Sequence, residues 1–198
     1  MGNEQTDGAV WSDHLDQILR RVWDCLGTGP APQSIAQGIA EGRRASLATI
    51  GKNGGPEQRS VMLRAVDEAR GLIDIHTDSE TAKVAQIRAN PMVSIMVWRA
   101  DMEMQIRLTG RAQILLGAAA ASLWRDVPLG ARPNYGVTPA PGSKIPAPGA
   151  FSREADSARF AVLRVSIEAI DAVILAQPQH RRAVFERADD WGGAWLAP

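Results

Sequence analysis

Between Arg44 and Arg187 the chain alternates apolar and polar side chains in run after run, with short turns between the runs. This texture constrains the fold more than any other feature, because a period of two marks a strand with one buried face. In Gln58–Val66, Arg59, Val61, Leu63 and Ala65 share one face, and Gln58, Ser60, Met62 and Arg64 share the other. In Glu103–Leu115, Met104, Ile106 and Leu108 alternate with Gln105, Arg107 and Thr109. In Arg159–Asp171, Ala161, Leu163, Val165 and Ile167 lie on one face. Arg44–Ile50 joins Gln58–Val66 through Lys52-Asn53-Gly54-Gly55-Pro56, a hairpin signal. Leu72–Thr77, Met92–Trp98 and His180–Arg187 complete a set of about seven strands, and the nearly continuous apolar character of Met92–Trp98 predicts a central position. Short connections predict mostly antiparallel pairing. That many strands in one domain favour closure over a flat sheet with two open edges. The expected fold is mainly β: a barrel of roughly six to eight strands with flanking helices.

The flanks read as helix and loop. Trp11, Leu15, Ile18, Leu19, Val22, Trp23 and Leu26 recur at helical spacing, with Ser12 or Asp13 as cap and Gly27 as stop. Gly29-Pro30-Ala31-Pro32 reads as a loop and Ser34–Glu41 as a short helix closed by Gly42, so residues 1–42 form a helical cover. Asp78-Ser79 resembles a helix cap for Thr81–Ala89, with Val84 and Ile87 facing the core and Asn90-Pro91 as the stop. Gly117–Arg125 is Ala-rich and predicts a helix. Pro128–Gly149 holds six of the twelve prolines and four glycines, so it predicts a long loop, over residues 128–150. After His180–Arg187 the remaining residues read as a tail.

With 198 residues, one domain spanning the whole chain is expected. Twenty-two basic residues balance 22 acidic ones, which offers no attraction for nucleic acid or an anionic membrane. One cysteine, Cys25, excludes an internal disulfide, and His14, His76 and His180 show no metal-ligand spacing. No apolar run is long enough to cross a bilayer, and Met1–Val10 lacks a secretory signal, so a cytoplasmic protein is expected. Gly2 and Thr6 fit a loose myristoylation pattern, which an ordinary polar tail also fits.

The motifs for dinucleotide folds, phosphate loops and nucleophile elbows are absent. What remains is anion chemistry. Thr77, Ser79 and Thr81 hydroxyls and the Lys83 ammonium gather where a helix begins, and Arg59 stands on the neighbouring strand. Free backbone N–H groups, hydroxyls and two cations suit a phosphate; a solvated helix cap with a surface lysine has the same residues. Gln105 on the polar side of its strand suits a heterocycle that both donates and accepts, or simply solvent.

Taken in order, Arg59-Ser60-Val61-Met62-Leu63-Arg64, His76-Thr77-Asp78, Lys83, Asn90-Pro91, Gln105-Ile106-Arg107-Leu108-Thr109-Gly110 and the closing Trp191 with Trp195-Leu196-Ala197-Pro198 resemble one family. These strings resemble the pyridoxamine 5'-phosphate oxidase-like flavoproteins, the FMN-binding split-barrel group, from about Ala45 to Pro198. The resemblance implies FMN as cofactor, a small-molecule substrate and a homodimer with FMN at its interface. It implies that Arg59 and Lys83 bind the FMN phosphate and that Thr77 donates its hydroxyl. The backbone at Ser60, Val61 and Met62 would line the flavin ring, Gln105 would bond its polar edge, and Arg182 would approach it. Arg64 and His76, in the same strings, join the cofactor set; His180 and Tyr135 are the substrate candidates.

The departures point away from vitamin B6 chemistry. Ala82 stands where the oxidases have an Arg before the Lys, and Pro178 stands where they have an Arg two residues before His180. Trp195 replaces the Arg of the final Arg-Leu-Ala-Pro. The motifs, with Asn134-Tyr135-Gly136 and Pro139-Ala140-Pro141-Gly142, are closer to an oxidase-like sister group. The expected activity is therefore an FMN-dependent oxidoreductase that takes a hydride from a small substrate. The alternative is a non-catalytic flavin- or haem-binding store, sensor or carrier, and the third choice is pyridoxamine 5'-phosphate oxidase itself.

Overall fold

The computed structural model describes residues 11–27, 29–30 and 43–198. The polar start with Gly2 and Thr6, and the short helix at Ser34–Glu41 with its closing Gly42, lie outside the described residues.

A single turn of 3-10 helix at Trp11–Asp13 leads into α1 (Leu15–Leu26), and Gly29–Pro30 (β1) pairs with Val66 and Ala65. Strands β2 (Arg44–Ile50), β3 (Pro56–Asp67) and β4 (Leu72–Asp78) follow, then α2 (Ala82–Ala89). The chain continues through β5 (Met92–Arg99), β6 (Met104–Leu115) and the short α3 (Ala121–Arg125). Two short strands, β7 (Val137–Thr138) and β8 (Ser152–Arg153), pair with each other. The last three strands are β9 (Phe160–Ile174), β10 (Arg181–Glu186) and β11 (Gly192–Leu196).

Hydrogen-bonded neighbours run β3-β2-β5-β6-β9-β4 and back to β3, which closes an antiparallel barrel of six strands. The expectation of a mainly β barrel with flanking helices holds. Closure depends on the length of β9. Its first half pairs with β4 and its second half with β10, while β6 lies along the other side of both. The sheet thus splits at β9: one branch closes the barrel and the other continues through β10 to β11.

The period of two holds inside the barrel, with Leu47, Leu63, Ile95, Ile106, Leu108 and Leu163 fully buried. It breaks at two bulges. Arg64 is skipped between Leu63↔Ile75 and Ala65↔Asp74, after which Val66 rather than Ala65 is buried. Glu168 is skipped opposite Thr109 and Gly110, so the inward set of β9 changes from Val165 and Ile167 to Ile170, Ala172 and Ile174. Gly110 is required there: a Cβ would run into the Ser166 carbonyl oxygen.

The helical cover differs from expectation in its cap. His14, not Ser12 or Asp13, precedes α1, and its side chain makes no capping bond; Ser12 is buried and Asp13 pairs with Arg181 at 2.5 Å. Gly27 ends the helix as expected, at φ 72°. Ile18, Val22, Trp23 and Leu26 of α1 share the barrel core, and Val84 and Ile87 of α2 join it. Two readings are corrected: Gly29–Pro30 is paired strand rather than loop, and Gly192–Leu196 is a strand rather than a tail. Strand β5 lies between β2 and β6, the central position expected, with Met96 and Trp98, 40% and 45% exposed, on its outer side. The Pro-rich stretch is partly ordered by packing: Val127 and Tyr135 cover Phe160 and Val162 on the outside of β9, with Trp124 against them. Among the described residues no helix is long and apolar enough to cross a membrane.

Candidate functional site

Arg59 occupies an inward position of β3 at the barrel mouth, where the pattern of Val61 and Leu63 leads into the core. A charge there needs partners. Its Nη1 donates to Thr49 Oγ1 at 2.6 Å and to the Leu47 carbonyl at 3.3 Å. Its Nη2 donates to Gln86 Oε1 at 2.9 Å. Gln86 Oε1 also accepts from Thr49 Oγ1 at 2.6 Å, and Gln86 Nε2 donates to Glu57 Oε2 at 2.6 Å. Thr49 and Gln86 are both buried, so they hold the guanidinium from beneath α2.

Lys83 enters from the first turn of α2. Its Nζ donates to Thr77 Oγ1 at 3.0 Å, and Thr77 Oγ1 lies 3.3 Å from Thr81 Oγ1. Burial pushes the Lys83 ammonium below its ordinary range, and the charge of Arg59 pushes it further; Asp78 pulls it back up. Among the described residues no carboxylate comes within ion-pair distance of Lys83. Arg59 Nη2 lies 3.5 Å from Glu57 Oε2, whereas Lys83, which feels the Arg59 charge, has only a hydroxyl partner among the described residues, so an anion beside Lys83 would offset that repulsion. The residues therefore fit a phosphate group by the chemistry of their donors.

The structure separates the remaining candidates. Ser60 is exposed and Met62 half-buried on the outer side of β3, while Val61 points into the core. Gln105 is exposed on the outer side of β6, beyond β2 and β5, which sets it about 14 Å from β3 in strand spacings. Arg182 lies two strands further, on β10. It grips Asp171 through Nε at 3.0 Å and Nη2 at 2.8 Å, and Arg107 bonds the same carboxylate. Burial raises the Asp171 carboxyl, but the hydrogen bonds and charges of Arg182 and Arg107 outweigh it and hold the group below its usual range.

Arg64, His76 and Tyr135 form a second group. Tyr135 is buried against Phe160 and Trp124, with ring centroids 5.0 and 6.0 Å apart; burial pushes its hydroxyl above its ordinary range, and the charge of Arg64 opposes this. His76 meets Phe160 edge-on at 4.9 Å. Burial lowers its pKa to about 4, and the Arg64 charge adds to this. His180 is exposed in the turn between β9 and β10.

Thr49 and Gln86 were not singled out by pattern. The available signal was a glutamine between Val84 and Ile87 on the buried side of α2. Asp78 and Arg159, joined at 2.8 Å next to Thr77, were likewise missed as a pair, because 81 residues separate them.

Residues 32–116 match the family model described as pyridoxamine 5'-phosphate oxidase, FMN-binding domain. A pyridoxine/pyridoxamine 5'-phosphate oxidase of Thermosynechococcus vestitus is 26% identical over 160 residues, 81% of this chain and 65% of that protein. One from Synechocystis sp. is 30% identical over 113 residues, 57% of this chain and 51% of that protein. The matched part thus spans between half and two thirds of these relatives. An FMN-binding protein of Nostoc punctiforme, related to pyridoxamine 5'-phosphate oxidase, superposes with a TM-score of 0.68 at 22% identity, over 82% of this chain and 91% of its own. PhzG from Burkholderia lata, solved with tetrahydrophenazine-1-carboxylic acid, gives a TM-score of 0.70 at 18% identity, covering 100% of both chains. These two likenesses establish the shared fold.

Proposed function

We propose, for a chain that carries the FMN-binding domain of the pyridoxamine 5'-phosphate oxidase family, that it is an FMN-dependent oxidoreductase acting on a small organic substrate. The observation that carries the reading is the seat made by Arg59, Lys83, Thr77 and Thr81, in which Lys83 has no carboxylate partner among the described residues.

Arg59, fixed by Thr49 and Gln86, offers its guanidinium to the phosphate of FMN. Lys83 keeps its proton on Nζ once an anion offsets the charge of Arg59. Thr77 adds a hydroxyl. The backbone of Ser60, Val61 and Met62 lines the ring, Gln105 bonds its polar edge, and Arg182, oriented by Asp171, supplies positive charge beside it. When bound, FMN supplies the capacity to accept a hydride from substrate. Arg64 and His76 border this site, and Tyr135 and His180 are the substrate-side candidates. Tyr135 acts from a buried position beside the charge of Arg64, and His180 from an exposed turn.

The distance between β3 and β6 supports assembly as a homodimer, in which the outer face bearing Gln105 and Arg182 meets a second copy's Arg59 seat. Met96, Trp98 and Leu196, each about 40% exposed or more, give that face apolar area to bury. Ala82 and Pro178 in place of arginines favour a substrate other than a vitamin B6 phosphate. A cytoplasmic location completes the proposal.

The test is the absorbance spectrum after FMN is added and excess removed by gel filtration. Flavin bands near one FMN per chain are expected, and Arg59→Ala with Lys83→Ala should abolish them. A colourless wild-type protein sinks the reading. Bleaching of the bound flavin by a panel of reduced small molecules without air then separates an oxidoreductase from a flavin store.

A further inference from the structure

Asp78 is the most heavily partnered carboxylate among the described residues, and none of its bonds goes to the anion seat. It ends β4, with its side chain only 2% exposed. Oδ1 accepts from Arg159 Nε at 3.1 Å, Arg159 Nη2 at 2.9 Å and the Glu80 N–H at 2.8 Å. Oδ2 accepts from the Gly136 N–H at 2.9 Å and lies 2.8 Å from Arg159 Nη2. Arg159 also donates to the Val137 carbonyl at 3.1 Å and pairs with Glu80 at 3.2 Å. Gly136 has φ 146°, and a Cβ there would strike the Glu154 carbonyl oxygen, so this close approach needs glycine.

Three parts of the chain therefore meet on one carboxylate: the turn into α2, the Pro-rich loop at 136–137 and the start of β9. The seat donors flank it. Thr77 precedes it, and Thr81 donates its hydroxyl to the Asp78 carbonyl at 2.8 Å. On the far side, Thr81 and Gln86 also line a cleft of about 790 Å³ whose opposite walls are the 51–57 turn and Ala140–Ser143 of the same loop. Whatever moves the loop moves a wall beside the seat.

We propose that Asp78 and Arg159 are positioning residues that lock the Pro-rich loop to the anion seat, so that affinity for the phosphate of the cofactor, and not for its ring, depends on them. The inference rests on the reading of Arg59 and Lys83 as the phosphate seat. Arg159 offsets much of the Asp78 charge while also pairing with Glu80, and the Asp78 turn holds both threonines in register. Its loss lets the turn relax and lets water in from the cleft, which weakens every phosphate contact.

The probes are FMN and riboflavin, which share the ring and differ in the phosphate. Both affinities are measured by flavin fluorescence quenching on wild type, Asp78→Asn and Arg159→Gln. Wild type should prefer FMN strongly. Each variant should lose about tenfold in FMN affinity with riboflavin held within about twofold, so the preference falls by about tenfold. An unchanged FMN-to-riboflavin ratio, or equal weakening of both, overturns the inference while leaving the seat intact. No preference in wild type removes the seat reading itself, and this inference with it. Should Asp78→Asn fail to fold, Arg159→Gln alone decides, because it leaves the Asp78 bonds to Glu80 and Gly136 in place.

Discussion

A few side chains set the properties of the site. Gln86 is one: its carbonyl oxygen accepts from Thr49 and Arg59 and its amide donates to Glu57. Gln86→Leu would leave the buried Thr49 hydroxyl without its acceptor and Arg59 Nη2 with only the longer contact to Glu57. Such a loss costs about 1–3 kcal/mol, to be read from urea unfolding, and FMN affinity should fall with it because Arg59 loses its orientation. His76 is another. Its folded pKa, about 4, lies below the ordinary 6.5 because it is buried, with Arg64 adding to the effect and Asp74 and Asp126 opposing it. The unfolded chain therefore binds the proton first. Stability from this group is complete above the ordinary pKa and is lost as pH falls from about 6.5 to about 4. The loss should reach about 2–3 kcal/mol. Unfolding at pH 7 and pH 4.5 should show a steeper acid loss in wild type than in His76→Gln, and equal slopes would refute the assignment.

At the scale of the element, the two bulges matter most. The bulge at Arg64 shifts the inward set of β3 from Val61 and Leu63 to Val66, while Arg64 keeps the outer side, where its charge lies near Tyr135. The bulge at Glu168 changes which side of β9 is buried as the strand passes from the barrel to the β10 branch. Gly110 makes that second shift possible. Gly110→Ala should destabilise by on the order of 3 kcal/mol, or prevent folding, since the obstacle is the Ser166 backbone and not a movable side chain. A melting temperature equal to wild type would show that β6 and β9 can separate there at little cost.

For the whole molecule, the split sheet decides where function is placed. Barrel closure buries one face of six strands and leaves the outer face of β5, β6, β9, β10 and β11 bearing Met96, Trp98, Gln105, Arg107, Arg182 and Leu196 together. If that face meets a second copy, Trp98→Lys should convert a dimer to a monomer in light scattering. It should also lower FMN affinity without touching Arg59 or Lys83. A variant that stays dimeric and binds FMN normally would move the interface elsewhere.

Much of this was legible in the chain. Period-two runs located β2, β3, β4, β6 and β9 to within a few residues, because one-sided burial writes itself into alternation, and a nearly continuous apolar run located β5. The hydroxyls and cations of the seat were legible as well, since Thr77, Thr81 and Lys83 are neighbours in sequence. Strand β11 was not, because Gly192–Leu196 is exposed throughout and carries no alternation. Local order alone also determined that Arg59 is charged and on the side of Val61 and Leu63; only the barrel, by bringing Thr49 and Gln86 beneath it, made that position tolerable. The same holds for Asp78 and Arg159, and for Arg107, Asp171 and Arg182. Each residue is plain in the sequence. Which charges meet depends on strand pairing across long separations, and spacing along the chain carries no record of that.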